Sequence, residues 1–141
     1  MGKKNSGNSP QPCPISFALG IFGDRWTLLV LRDVLLTTHS RYKEILAANP
    51  GMATNVLSDR LKRLEDHGLI VKERDVTDGR QFIYKPTKSG VSVIPILVEM
   101  LIWGADKGGI RIPDIFVRGY RDNRDEFLGK LMKDAERDAG C

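Results

Sequence analysis

The sequence predicts a mainly α-helical fold carrying one small β-hairpin, and three observations support that prediction. Four helix-length apolar segments succeed one another before residue 68, alternation around a "TDGR" turn then replaces the helical period, and helical spacing resumes after Thr87. At 141 residues the chain is long enough to bury the core of one domain without metal or disulfide support.

The elements follow in order. Residues 1–12, rich in Gly, Ser, Asn and Pro, are expected to form a disordered tail. "PISFALGIF" (14–22) reads as a short apolar helix broken by Gly23-Asp24. "DRWTLLVLRDVLL" (24–36) reads as a central core helix with Asp24 as its N-cap. "THSRYKEILAANPG" (38–51) holds a third helix over 41–48, capped by Ser40 and stopped by Asn49-Pro50-Gly51. A fourth runs from Met52 to His67, with Leu57, Leu61 and Leu64 on one face and Gly68 suited to a left-handed end. "LIVKERD" and "QFIYK" flank Asp78-Gly79, the signature of a hairpin. Thr87 is expected to cap a helix over 88–108, kinked by Pro95, whose apolar surface is broader than one domain contact needs. After Gly108-Gly109, "IRIPDIFVRGY" looks extended. A last helix follows, placing Phe127, Leu128, Leu131, Met132 and Ala135 on one face.

Composition narrows the function classes. The chain is 41% hydrophobic and 28% charged, as in an ordinary globular protein. Runs such as "VIPILVEMLIW" are too short and interrupted to span a bilayer, and "MGKKNSGNSPQP" has no signal-peptide core. "MGKKNS" meets the loose myristoylation pattern through Gly2 and Ser6, and is read as a chance match, so no membrane partner is expected. Cys13 and Cys141 lie near opposite ends, neither a disulfide framework nor zinc spacing, which suits a cytoplasmic location. The net charge is +4, and residues 41–88 hold ten Lys/Arg against seven Asp/Glu, so the basic excess surrounds the fourth helix. No paired acid, Gly-rich phosphate loop or metal-ligand cluster is placed as an enzyme needs, so neither catalysis nor a cofactor is expected. His39 and His67 read as surface or helix-end residues, and Trp26 and Trp103 as core or interface aromatics.

Three helices followed by a hairpin with a polar, basic turn describe a winged helix-turn-helix, here preceded by a short N-terminal helix. Helices 41–48 and 52–67 meet across "AANPGM", and "DVTDGRQ" is the wing. The chain resembles the HxlR-type winged-helix transcriptional regulators, relatives of the MarR group, through "CPISFALGIFGDRWTLLVLRDVL", "RYKEILAANPGMATNVLSDRLKRLEDHGLIVKE", "YKPTKSG" and Trp103, over roughly residues 13–104. The resemblance implies a homodimeric regulator, commonly a repressor, with terminal helices at the dimer interface. Two departures stand out: Pro86 occupies a position where the family often has Leu, and residues 109–141 extend past the usual end. The expected organisation is a DNA-binding domain with dimerisation helices over 13–108, and an extension over 109–141 that packs at the dimer interface or serves as a ligand lid.

The polar face of the fourth helix is where duplex DNA is expected to bind. Asn55 suits adenine, Asp59 suits cytosine, and Thr54 and Ser58 suit several base edges. Lys62 and Arg63 lie farther along, where phosphate contact is expected. Arg80 at the wing tip suits a phosphate or a narrow minor groove, against the plainer reading of an exposed turn residue. Arg41 opens the third helix, where holding a phosphate and forming a structural salt bridge compete as readings. Cys13 is the one reactive candidate, as a thiol sensor before the first helix or as a small buried residue. The expected function is sequence-specific regulation by a homodimer on a near-palindrome. A Cys13-based redox regulator and a winged-helix protein-interaction module are the alternatives, and a small-molecule or oxidant effector is left open.

Overall fold

A computed structural model describes residues 13–138; the expected tail over 1–12 and Cys141 lie outside them. Helices α1 (Pro14–Phe22), α2 (Thr27–Leu36), α3 (Tyr42–Ala48) and α4 (Thr54–Asp66) precede strands β1 (Ile70–Arg74) and β2 (Phe82–Pro86). Helices α5 (Lys88–Val91), α6 (Ile94–Gly108) and α7 (Asp114–Asp138) complete the chain. This is the mainly α fold with one hairpin that the sequence predicts. The strands pair antiparallel with Ile70 opposite Pro86, Lys72 opposite Tyr84 and Arg74 opposite Phe82. An isolated bridge from Arg41 to Ile83, with Tyr84 N–H donating to Ser40 O at 2.7 Å, fastens the hairpin to the start of α3.

The core lies where the apolar stripes of these elements meet. Val30 and Leu31 of α2 and Ile45 of α3 are fully buried with Leu57, Leu61 and Leu64 of α4, as the spacing of the three leucines requires. Each such side chain contributes about 1.5–3 kcal/mol by leaving water. Helix α4 ends in a Schellman motif: Gly68 takes φ +73°, Leu69 N–H donates to Leu64 O at 2.9 Å, and Gly68 N–H to Glu65 O at 2.9 Å. The motif turns the chain straight into β1, with Leu64 and Leu69 both buried.

A buried polar network fixes the turn before α4. Asn49 Nδ2 donates to Asp33 Oδ2 at 2.7 Å and to Ile45 O at 2.8 Å. Arg32 donates to Asp33 Oδ1 and Asn49 Oδ1 at 2.9 and 3.1 Å. Asp33 and Asn49 are each almost wholly buried, and their polar groups are satisfied by one another, by Arg32 and by the nearby backbone. The sequence marks Asn49 as a helix stop; its longer-range role of holding α3 on α2 has no local signature.

Several boundaries correct the sequence reading. Helix α2 begins at Thr27, and Asp24 sits in the preceding turn, where its Oδ2 accepts from Trp26 N–H and Thr27 N–H at 3.0 and 3.1 Å. Ser40 does not cap α3. Glu44 Oε1 reaches back to the N–H groups of Ser40 and Arg41, at 3.1 and 3.0 Å. Pro95 starts α6 after a break at Ser92-Val93, where a kink inside one helix was expected. The segment expected to be extended after residue 109 is helical from Asp114, because Pro113 opens a new helix and Phe116 and Tyr120 find apolar partners. Helix α7 breaks at Asn123, and the break folds Phe116 onto Phe127 with ring centroids 5.7 Å apart. Its later half lays Leu128 and Ala135 into the core, with Phe127, Leu131 and Met132 half-buried beside them.

Candidate nucleic-acid interface

Helix α4 buries one stripe and leaves the opposite one clear. Thr54, Asn55, Ser58, Asp59 and Lys62 are all exposed, and the last four follow the i, i+3, i+4, i+7 spacing of a single face. Asn55 makes no side-chain hydrogen bond to any described residue, so its amide is open to an outside partner. Tyr42 of α3 steadies the first turn: its hydroxyl donates to Thr54 O at 2.8 Å and lies 3.2 Å from Ser58 Oγ. Lys62 pairs loosely with Asp66 at 3.2 Å, both largely exposed, so the ammonium is available to exchange that partner for a phosphate.

Two predicted contacts are placed differently from the rest. Arg63 is half-buried and turned toward α1, donating to Gly20 O and Ile21 O at 3.4 Å each and lying 3.6 Å from Asp24. Arg41 pairs with Asp75, whose side chain is nearly buried, and donates to Thr77 Oγ1 at 3.3 Å. Both guanidiniums are engaged in structural ties, and for Arg41 the salt-bridge reading is the one the geometry favours. Asp75 is held below the usual carboxylate range, first by the hydroxyl and N–H of Thr77 and then, against burial, by Arg41.

The wing extends beside this face. Arg80 is 91% exposed at its tip, its guanidinium 3.2 Å from Asp78. Asp78 organises the turn by accepting from Arg80 N–H at 3.1 Å and from Gln81 Nε2 at 3.0 Å. The hairpin register places Lys72, Arg74, Phe82 and Tyr84 on one face. Lys72 Nζ stands 4.4 Å, and Arg74 Cζ 5.0 Å, from the Phe82 ring centroid. Tyr42, Lys43, Arg80, Phe82 and Tyr84 line a cleft of about 600 Å³ between α3 and the wing. Among the described residues Lys43, Lys72 and Arg74 have no carboxylate partner. These three cations and Tyr42 are not among the residues that the sequence assigns to DNA. Period-2 alternation in the strands, followed through the turn, was the signal that could have grouped Lys72 and Arg74 with Phe82.

Away from this face, Cys13 is exposed as the N-cap residue of α1, against the reading that buries it. A second cleft, of about 680 Å³, lies between α6 and α7 and is lined by Ile102, Trp103, Ile110, Val117 and Tyr120. Glu99 at its side accepts from Tyr120 Oη at 2.8 Å and Arg124 Nε at 2.6 Å.

A helix pair joined by a tight turn, with a polar stripe on the second helix and a basic hairpin beside it, defines the winged helix-turn-helix class. Within that class the chain belongs to the HxlR-like helix-turn-helix family, whose model matches residues 21–110. It is 33% identical over 94 residues to the HTH-type transcriptional regulator sll1512 of Synechocystis, covering 67% of this chain and 69% of that one. A MarR-family protein of Porphyromonas gingivalis W83 shares its structure with TM-score 0.60 and 32% identity, over 72% of this chain and 96% of that one. The reduced form of the transcriptional regulator YodB from Bacillus subtilis matches with TM-score 0.55 and 28% identity, over 67% and 93%.

Proposed function

We propose that this protein is a transcriptional regulator that binds duplex DNA as a symmetric homodimer, and that it represses by occupying a near-palindromic operator. The observation that carries the reading is the open stripe of Asn55, Ser58, Asp59 and Lys62 beside the wing cations. The stripe suits base edges in a major groove, and Lys62, Lys72, Arg74 and Arg80 suit the flanking phosphates. Dimerisation is supported by apolar surface with no cover. Ile15, Phe17 and Leu19 of α1 are exposed, as are Ile96, Met100 and Trp103 of α6, the latter at i, i+4, i+7 spacing. By length and composition Lys88–Gly108 would also pass for a membrane span; here one side supplies Ile94, Leu97 and Val98 to the core, and a partner protomer accounts for the other. Such a regulator works in the cytoplasm on chromosomal sites, about 10 bp or a whole number of turns between half-site centres.

Selection of duplexes from the source genome at near-physiological salt tests the reading. Wild type enriches a near-palindrome, and an Arg80→Ala, Lys62→Ala double variant binds every enriched duplex more weakly. Weak binding indifferent to sequence would favour a protein-interaction module on the same fold.

A thiol-regulated version of this reading is favoured by the exposed Cys13 at the start of α1, and by the reduced, quinone-bound and diamide-treated forms in which YodB has been solved. Under it, oxidant releases wild type from its operator and leaves a Cys13→Ser variant bound.

A further inference from the structure

Three helices converge on one carboxylate. Asp24 accepts from the N–H groups that open α2 and from Thr27 Oγ1, and its Oδ2 also accepts from Arg60 Nε of α4 at 2.7 Å. One turn along α4, Arg63 donates to the carbonyls of Gly20 and Ile21, in the last turn of α1, where helix carbonyls lack partners of their own. Arg63 also stands 3.6 Å from Asp24. The side chains of Arg60 and Asp24 are 20% and 24% exposed, so this pair is better sheltered than the loose pairs on the outer face of α4.

The placement of α1 depends on these ties. No residue of α1 is buried, and it meets the core only through half-buried Ile21 and Phe22 at its end. It leaves α2 at 83°. On the other side, Arg60 also pairs with Asp59, a member of the open stripe. A continuous run of charged contacts therefore leads from the end of α1, through Asp24 and Arg60, to the face proposed to read DNA.

We propose that Asp24 is the joint that transmits the placement of α1 to α4, with Arg60 and Arg63 as positioning residues. Whatever docks on α1 or modifies it then sets how α4 meets its site. Arg63 serves this joint and does not touch phosphate. The inference rests on the DNA-binding reading for its consequence, though the joint itself is measurable without DNA.

Asp24→Asn separates the joint from the cap, since the amide oxygen still accepts the α2 N–H groups while the charge is gone. Arg63→Gln is the second variant. Each is expected to lower affinity for the selected operator about tenfold. Affinity for unrelated duplex and the salt dependence should stay as in wild type, and the two together should lose no more than the larger single loss. The DNA-free arm reads α4 amide chemical shifts after Phe17→Ala on the outer side of α1. Shifts at Arg60 and Arg63 appear in wild type and vanish in the Asp24→Asn background. Additive losses with a salt slope shallower by about 2 in Arg63→Gln would make Arg63 a direct phosphate contact and overturn the proposal. So would an α4 that ignores Phe17→Ala, or responds equally without Asp24. If wild type binds no duplex, the DNA reading fails and the chemical shifts alone decide the joint.

Discussion

Burial disfavours a charge on Asp24, yet the Thr27 hydroxyl, the Arg60 guanidinium and the Trp26 N–H outweigh it and hold the carboxyl well below the usual carboxylate range. A carboxylate depressed in this way stabilises the fold fully above its unfolded pKa of about 4, and the contribution drains away as pH falls below that value. Urea midpoints of wild type and Asp24→Asn should therefore differ most above about pH 5 and converge in stronger acid. A gap that stays constant down to pH 2 would mean that the ion pairs add nothing to stability. The sequence marks Asp24 as the N-cap of α2, although that helix begins at Thr27. Its second role was illegible there, because Arg60 lies 36 residues away and on the flank of α4, between the buried and open stripes. The turn of Arg63 toward α1 is illegible for the same reason: a helical wheel shows that a residue leaves the core face but not which neighbouring helix it meets.

At the scale of elements, local rules accounted for what local chemistry controls. The leucine spacing of α4, the glycine that ends it and the Asp-Gly hairpin all appear where the pattern puts them. Thr87 caps α5 through a hydrogen bond from Gly90 N–H at 3.0 Å, also as expected. What escaped were features decided by packing at a distance, such as the split between α5 and α6 and the helix from Asp114. Gly90 belongs with them. A Cβ at this position would lie 2.0 Å from Leu69 O, so α5 approaches the start of β1 more closely than any other residue allows. Gly90→Ala should cost about 1–3 kcal/mol by urea denaturation. Gly129→Ala, on the open side of α7 with no atom within 4 Å of its Cβ, should instead stabilise by up to about 1 kcal/mol. Equal effects would show that the contact with Leu69 O is not the reason for glycine.

For the whole molecule, the proposed dimer joins the open faces of α1 and α6 to the stripe of α4, because its geometry would set the separation of two α4 helices. Trp103 is 68% exposed, so Trp103→Glu leaves the core intact. Sedimentation should find wild type dimeric and this variant shifted to monomer, with operator binding weakened in parallel; a dimeric variant would move the interface off α6. If each protomer neutralises about three phosphates, log K should fall against log salt with a slope of about −5. A slope shallower than about −2 would mean that the wing cations stay off the backbone. The modest charge excess over residues 41–88 indicated this region, but the sequence could not show that Lys72 and Arg74 share a face with Phe82 until the register was fixed.

If α4 reads bases while the cations around it hold the backbone, Asn55 separates the two roles most cleanly, because its amide has no partner among the described residues. The most direct test measures affinities of wild type and Asn55→Ala for the selected operator and for each of its single-base variants. A loss of about 1–3 kcal/mol on the operator is expected, with discrimination relaxed at one base pair in each half-site and kept elsewhere. Unchanged affinity, or weakening spread evenly over every variant, would contradict this expectation and remove α4 from the reading of sequence.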